Sequence, residues 1–225
     1  MISKSIITSV LEAALSTGGD FAELFIDDTS RGSLNFLDGQ LESTQSGRDF
    51  GIGVRIFNGL NSVYAYTNSF DKESLVNTAL KAAQAISGTN SGIDIVLDET
   101  KLSSIHPIGI MPDSVPKKEK LEMIKAGYYS AKGYDQLIKQ ASARYTDVMQ
   151  NVAIANSEGL YVEDSRTYTR IAISAIAEKD GQMQTGTVSP GAHRGVEFAK
   201  GLDFKALGEE AGRMAKVMAE ADYCK

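Results

Sequence analysis

Two histidines, one cysteine and several paired acids are the side chains through which this chain could carry out hydrolytic or redox chemistry. A hydrolytic zinc ordinarily takes three protein ligands, mostly imidazoles, with carboxylate support. His106 stands before Pro107 in a Pro-marked passage, and His193 sits far along the chain in Pro190-Gly191-Ala192-His193-Arg194-Gly195. Histidines without ligand spacing read as ordinary loop residues, and no His-Glu-x-x-His element is present. Cys224 is alone, which excludes an intrachain disulfide, a CxxC redox pair and a thiolate zinc site, and no base stands near it in sequence. No Gly-x-Ser-x-Gly elbow occurs. The sequence therefore offers no catalytic residue and no metal ligand.

The acidic pairs Asp27-Asp28 and Glu163-Asp164 fall in strand-like runs, where neighbours point to opposite faces and do not converge. Gly51-Ile52-Gly53 superficially resembles a dinucleotide loop, but no third glycine follows at the required spacing and no helix opens there. Read as a strand, Ile52, Val54 and Ile56 share one face, while the other carries Gly51, Gly53, Arg55 and Phe57, nearly bare backbone beside a cation. Glycine weakens a strand, so its presence marks a bulge, tight packing or the approach of another chain. Arg55 is then either paired to an acid such as Glu23 or Glu42, or part of a surface that receives a peptide. Gly51, Gly53, Arg55, His193 and Arg194 are the candidate substrate-binding residues.

The elements that would position these residues follow from periodicity. Ile6, Ile7, Val10, Leu11, Ala14 and Leu15 recur at helical spacing. Five short alternating runs follow (21–26, 33–37, 40–45, 50–57 and 61–67), punctuated by Asp38-Gly39 and Asn58-Gly59, and a second helix begins near Asp71. After the linker-like stretch Ser87–Gly92 the order repeats. A helix follows, with Ser114 as its cap and Pro116 in its first turn, and five runs (140–145, 149–155, 160–164, 168–177 and 183–188) turn at Asn156–Gly159 and Asp180-Gly181. A last helix carries Phe204, Leu207, Ala211, Met214 and Met218. We read this as a structural duplication. It predicts an α+β protein of two similar lobes, each a mostly antiparallel sheet of hairpins flanked by helices. The division is 1–98 for an N-terminal domain, 99–115 for a linker and 116–225 for a middle domain.

Composition excludes further classes. With 23 Lys+Arg against 29 Asp+Glu in 225 residues, the net charge of −6 and the lack of a basic stripe argue against nucleic-acid binding. No run approaches the ~20 apolar residues of a membrane helix. The N-terminus has no secretory signature, and a single cysteine fits a reducing cytoplasmic compartment.

Several motifs, taken in order, resemble the N-terminal domain of TldD/PmbA metallopeptidases: Asp20-Phe21-Ala22-Glu23-Leu24, Asp38-Gly39-Gln40-Leu41-Glu42-Ser43, Gly51-Ile52-Gly53-Val54-Arg55 and Tyr66-Thr67-Asn68. Asn156-Ser157-Glu158-Gly159, Arg170, Asp180–Gly186 and Pro190–Glu197 are similar to that family's middle domain. The resemblance implies a cytoplasmic zinc peptidase that cuts unfolded or extended peptides and works as a homodimer or as a heterodimer with a related subunit. It also implies that the zinc ligands belong to a C-terminal domain absent from this chain, so no cofactor is expected here and Cys224 takes no ligand role. The chain is then the substrate-handling part of such an enzyme, or a non-catalytic binding or regulatory subunit that pairs with a catalytic relative.

Overall fold

Each half of the chain follows the order helix, three strands, helix. In the computed structural model, which describes residues 2–86, 88, 92, 94–103 and 105–222, the first half comprises α1 (Lys4–Ala14), β1 (Phe21–Leu37), β2 (Gln40–Asn58), β3 (Asn61–Thr67) and α2 (Lys72–Ala83). A short strand β4 (Asp98–Thr100) and a 3-10 turn (Pro112–Ser114) lead to α3 (Lys117–Lys132), β5 (Ile138–Asn156), β6 (Leu160–Lys179) and β7 (Gln182–Val188). The two-residue β8 (Gly191–Ala192), α4 (Val196–Lys200) and α5 (Phe204–Glu220) complete the chain. Cys224 and most of the Ser87–Gly92 stretch lie outside the described residues.

The α+β reading holds, and the duplication is visible in the strand order β3-β2-β1-β5-β6, with β7 paired to β6 as β3 is to β2. The five runs expected in each half are three strands. Residues 21–26 and 33–37 are one continuous β1, and the same merging gives β2, β5 and β6. The polar stretch Asp27–Ser33 interrupts the apolar alternation without interrupting the strand. Ala22, Leu24 and Ile26 belong to one core, Leu34 and Phe36 to another. Alternation reports which core a residue faces, whereas the backbone ladder needs no side chains to continue.

Both Asp-Gly turns carry the expected chemistry, whereas Asn58 ends β2 paired with Asn61 and only Gly59 (φ 58) of that dipeptide is left-handed, the turn being Gly59-Leu60. Asp38 (φ 47) with Gly39 (φ 84), and Asp180 (φ 52) with Gly181 (φ 75), are left-handed pairs that reverse tight two-residue hairpins.

Two compact units interleave along the chain. The first comprises Met1–Thr29, Arg48–Ile105 and Gln150–Ser165. Its core packs α1 (Ile7, Val10, Leu11) and α2 (Leu75, Ala79, Ala83) onto one sheet face carrying Leu24, Ile52, Val54 and Ile56. Asp71 caps α2 by accepting from the Ser74 N–H at 2.9 Å. The second unit comprises Ser30–Gly47, His106–Met149 and Arg166–Lys225, with α3 and α5 over Phe36, Ala143, Ile171 and Ile173.

Two local expectations change. Ser114 does not cap α3; it sits in the 3-10 turn with its hydroxyl donating to the Met111 carbonyl at 2.7 Å, and the helix starts after Pro116. On α5 the buried stripe is Phe204, Gly208, Ala211, Gly212 and Ala215, while Met214 and Met218 stay exposed. A Cβ at Gly208 would lie 2.9 Å from the Ala131 nitrogen, so α5 turns its smallest residues toward α3 and its methionines away.

Candidate functional site

In the first unit, the sheet face opposite the helices is open, and it carries three of the predicted residues. Arg55 and Tyr64 are cross-strand partners between β2 and β3, as are Gly53 and Tyr66. The Arg55 guanidinium carbon lies 5.5 Å from the centre of the Tyr64 ring, and its NH1 is 3.6 Å from a Glu23 carboxylate oxygen on β1. Of the pairings considered for Arg55, the one with Glu23 forms. Both partners are substantially exposed, so the attraction is weakened by solvent.

Gly53 has a packing reason. The Tyr64 side chain lies across it, with a ring carbon 2.7 Å from where a Cβ would stand, as when an aromatic ring shelters a strand glycine. Gly51 meets nothing within 4 Å of that position and leaves bare backbone open. A shallow hollow of about 230 Å³ is lined by Glu23, Phe25, Gly53, Arg55, Tyr64 and others. A second, of about 310 Å³, continues past Gly51 to Tyr66, Asp27 and Asp49. Phe25, Tyr64, Tyr66 and Phe70 are exposed on this unit, and Phe70 stacks on Phe50 at 3.7 Å between ring centres. An apolar aromatic floor with one cation and nearby acids can hold side chains of an extended peptide; it contains no nucleophile poised against a base.

Asp27 and Asp28 diverge, as neighbours in a strand should. Asp27 accepts from the Thr29 hydroxyl at 2.7 Å and from the Gln150 amide at 3.3 Å. Asp28 takes a two-point contact from Arg48 at 2.6 and 2.7 Å, and that guanidinium holds its carboxyl below the usual range.

The second unit holds the other two candidates and brings His193 to His106. The rings stack with centres 5.2 Å apart, and Tyr168 meets His193 edge-on at 5.4 Å. Glu197 fastens the two loops, accepting from the Ile110 N–H at 2.8 Å and the Gly195 N–H at 3.0 Å, while the Val196 N–H donates to the Ile110 carbonyl at 2.9 Å. Burial pushes the Glu197 carboxyl up, but the backbone N–H groups that point at it prevail and hold it below the ordinary value. Arg194 stands 3.7 Å from Glu197 with its side chain exposed. No sequence spacing announces this meeting of the two histidines, which the fold alone brings together. Gly51, Gly53 and Arg55 belong to one unit, and His193 and Arg194 to the other.

A buried polar cluster in the second unit also escaped the sequence reading. Lys120 Nζ lies 2.6 Å from Asp147 Oδ2, both side chains more than nine-tenths buried, and 5.1 Å from the centre of the Tyr145 ring. Gly32 leaves the room, since a Cβ there would fall 2.6 Å from Asp147 Oδ1. Among the described residues the buried Tyr145 hydroxyl makes no hydrogen bond of good geometry, although Thr169 and Asp147 stand beside it, and burial, then the Asp147 charge, raises its pKa.

With the geometry in place, comparison with known proteins decides the family. Residues 22–86 match the PmbA/TldA metallopeptidase domain 1, and residues 110–219 match the PmbA/TldA metallopeptidase central domain. The chain belongs to the TldD/PmbA family in its N-terminal and central regions. Relatives include a metalloprotease of Methanocaldococcus jannaschii, 30% identical over 92% of this chain and 46% of its own length. A metalloprotease TldD homolog of Haemophilus influenzae is 24% identical over 80% of this chain and 38% of its own. Among solved structures, a candidate modulator of a DNA gyrase from Thermotoga maritima superposes with a TM-score of 0.77 at 18% identity, covering 99% of this chain and 50% of that one. TldE from Thermococcus kodakarensis gives 0.70 at 12% identity, with 94% and 47% covered. These two likenesses establish the fold. The chain spans less than half the length of the curated relatives it matches.

The relatives' names imply a metal, and the donor set of this TldD/PmbA chain does not fit a hydrolytic one. Two stacked, exposed imidazoles are present, and among the described residues no group of three His, Cys, Asp or Glu side chains is placed to hold an ion. Also among the described residues, no helix is long and apolar enough to cross a membrane.

Proposed function

We propose that this chain is the substrate-handling and dimer-forming part of a TldD/PmbA-type zinc metallopeptidase acting on unfolded or extended peptides in the cytoplasm. In this reading residues 1–98 and 116–225 are its two domains, joined by 99–115, and the zinc chemistry is supplied by residues outside this chain. The observation that carries the reading is the open aromatic face around Gly51, Gly53 and Arg55, in a chain whose two matched regions are metallopeptidase domains. Such a surface supports an extended peptide through apolar contact and main-chain hydrogen bonds that do not depend on sequence.

The test is a titration of a fluorescein-labelled unfolded peptide followed by anisotropy. Binding in the micromolar range is expected, weakened severalfold by Arg55→Ala with the fold retained by circular dichroism. Absence of binding at millimolar protein overturns the reading. The second reading, a non-catalytic subunit that pairs with a catalytic relative, draws on the structural likeness to TldE. Co-purification with a larger metal-bearing relative, measured by sedimentation, would favour it.

A further inference from the structure

The duplication makes β2 and β6 counterparts, so their outer edges can be compared along their length. At one end the coverage agrees: β3 pairs with Ile52–Asn58 of β2, and β7 pairs with Ile173–Lys179 of β6. At the other end it differs. The first residues of β6, Leu160–Val162, carry β4 as a parallel strand, and the Asp98 N–H donates to the Gly159 carbonyl at 2.7 Å just before it. The first residues of β2, Gln40–Gly47, pair with β1 on one side and, among the described residues, with nothing on the other.

That bare edge is built to accept a strand. The left-handed Asp38-Gly39 turn makes Leu37 and Gln40 the pair that exchanges both backbone hydrogen bonds. Glu42 follows in phase, and its carboxylate takes the Asn35 side-chain amide across the ladder. The alternation then turns the N–H and C=O groups of Leu41, Ser43 and Gln45 away from β1, toward open space. Every residue from Gln40 to Asp49 is exposed, and none joins either core. The segment Gln40–Gly47 has no Lys and no Pro, the usual guards of an unused edge.

We propose that the outer edge of β2 over Gln40–Gly47 receives an extended peptide as an added strand, as β6 receives β4. The proposal rests on the substrate-handling reading and names where the main chain of the peptide is held. A subunit interface needs an apolar core over at least ~1,200 Å² of buried surface, whereas Leu41 is the single large apolar residue of this segment. Ser, Thr and Gln beside open backbone suit a partner recognised by its main chain and not by its side chains.

The experiment is amide hydrogen exchange on the 225-residue chain with a fluorescein-labelled octapeptide of alternating Thr and Val, beside anisotropy with the same peptide. Binding should slow exchange at Leu41, Ser43 and Gln45 and leave Glu42 and Thr44, already bonded to β1, unchanged. N-methylation of one alternate set of peptide nitrogens should weaken binding about tenfold or more while the other set leaves it within about twofold, since only one set faces the edge. Ser43→Pro removes an outward donor and should weaken binding comparably; the methylated peptides carry the test if that variant does not fold. Binding with equal effects of both methylation patterns and no protection at Leu41, Ser43 and Gln45 overturns the edge site and leaves peptide handling standing. No binding of the peptide overturns both. Protection of those amides without peptide, with a doubled mass in solution, overturns the proposal in favour of a second copy on this edge.

Discussion

Tyr64 of β3 lies across the bare backbone of Gly53 on β2, two residues along the strand from the residue it formally opposes, Arg55. The same ring therefore fills the space of a missing side chain and sits under a guanidinium. Gly53→Ala would force the ring aside. Because Tyr64 is more than half exposed and the clash is at the far end of its side chain, the ring can swing outward, and the expected cost is about 1 kcal/mol with the fold intact. A thermal melt measures the cost, and the near-ultraviolet tyrosine signal should change with it. An unchanged tyrosine signal would mean that the ring does not rest there.

Lys120 and Asp147 make a different kind of contact, a short ion pair with both side chains almost wholly buried. Removing one partner leaves the other charge stranded where water cannot reach it. Lys120→Met should cost about 3–5 kcal/mol in urea unfolding, whereas the double variant Lys120→Met, Asp147→Leu should recover much of that loss. A single variant as stable as the double would show that Asp147 reaches solvent after all.

Tyr145, beside that pair, buries a hydroxyl that makes no hydrogen bond of good geometry among the described residues. Leaving a buried donor unpaired costs about 1–3 kcal/mol, so its removal should not hurt. Tyr145→Phe keeps the ring under Lys120 and is expected to be neutral or to stabilise by about 1 kcal/mol, read from the shift of the denaturation midpoint. A loss exceeding 1 kcal/mol would mean that the hydroxyl has a partner in solution, such as a bound water.

The contrast between these sites shows what the sequence made legible. Helical spacing located α1 and α2 because their apolar stripes meet one core, and the Asp-Gly pairs located hairpin turns because only left-handed backbone closes them. Gly53 and Arg55 stood out for their oddity in a strand, and Glu23 was among the partners foreseen for Arg55. The lengths of β1, β2, β5 and β6 were not legible, because polar stretches such as Asp27–Ser33 break the alternation and not the ladder. Nor was the meeting of His106 with His193 or of Lys120 with Asp147, since each pair joins distant segments and a single charged or aromatic residue carries no periodic signal.

Glu197 ties the loop before α3 to the start of α4, and its ionisation links that tie to pH. In the folded chain its carboxyl is held below the ordinary value of about 4.3, because the N–H groups of Ile110 and Gly195 bond the charged form more than burial opposes it. A depressed folded pKa contributes stability that is complete above the unfolded value and disappears as pH falls through the folded one. Glu197→Gln should therefore lower stability at pH 7 and flatten the loss of stability below about pH 4.3, while leaving the profile between pH 5 and 8 parallel to that of the unsubstituted chain. Urea midpoints measured from pH 2.5 to 8 give the comparison. Identical acid limbs for the two proteins would show that Glu197 does not hold its charge in the folded state as the hydrogen bonds require.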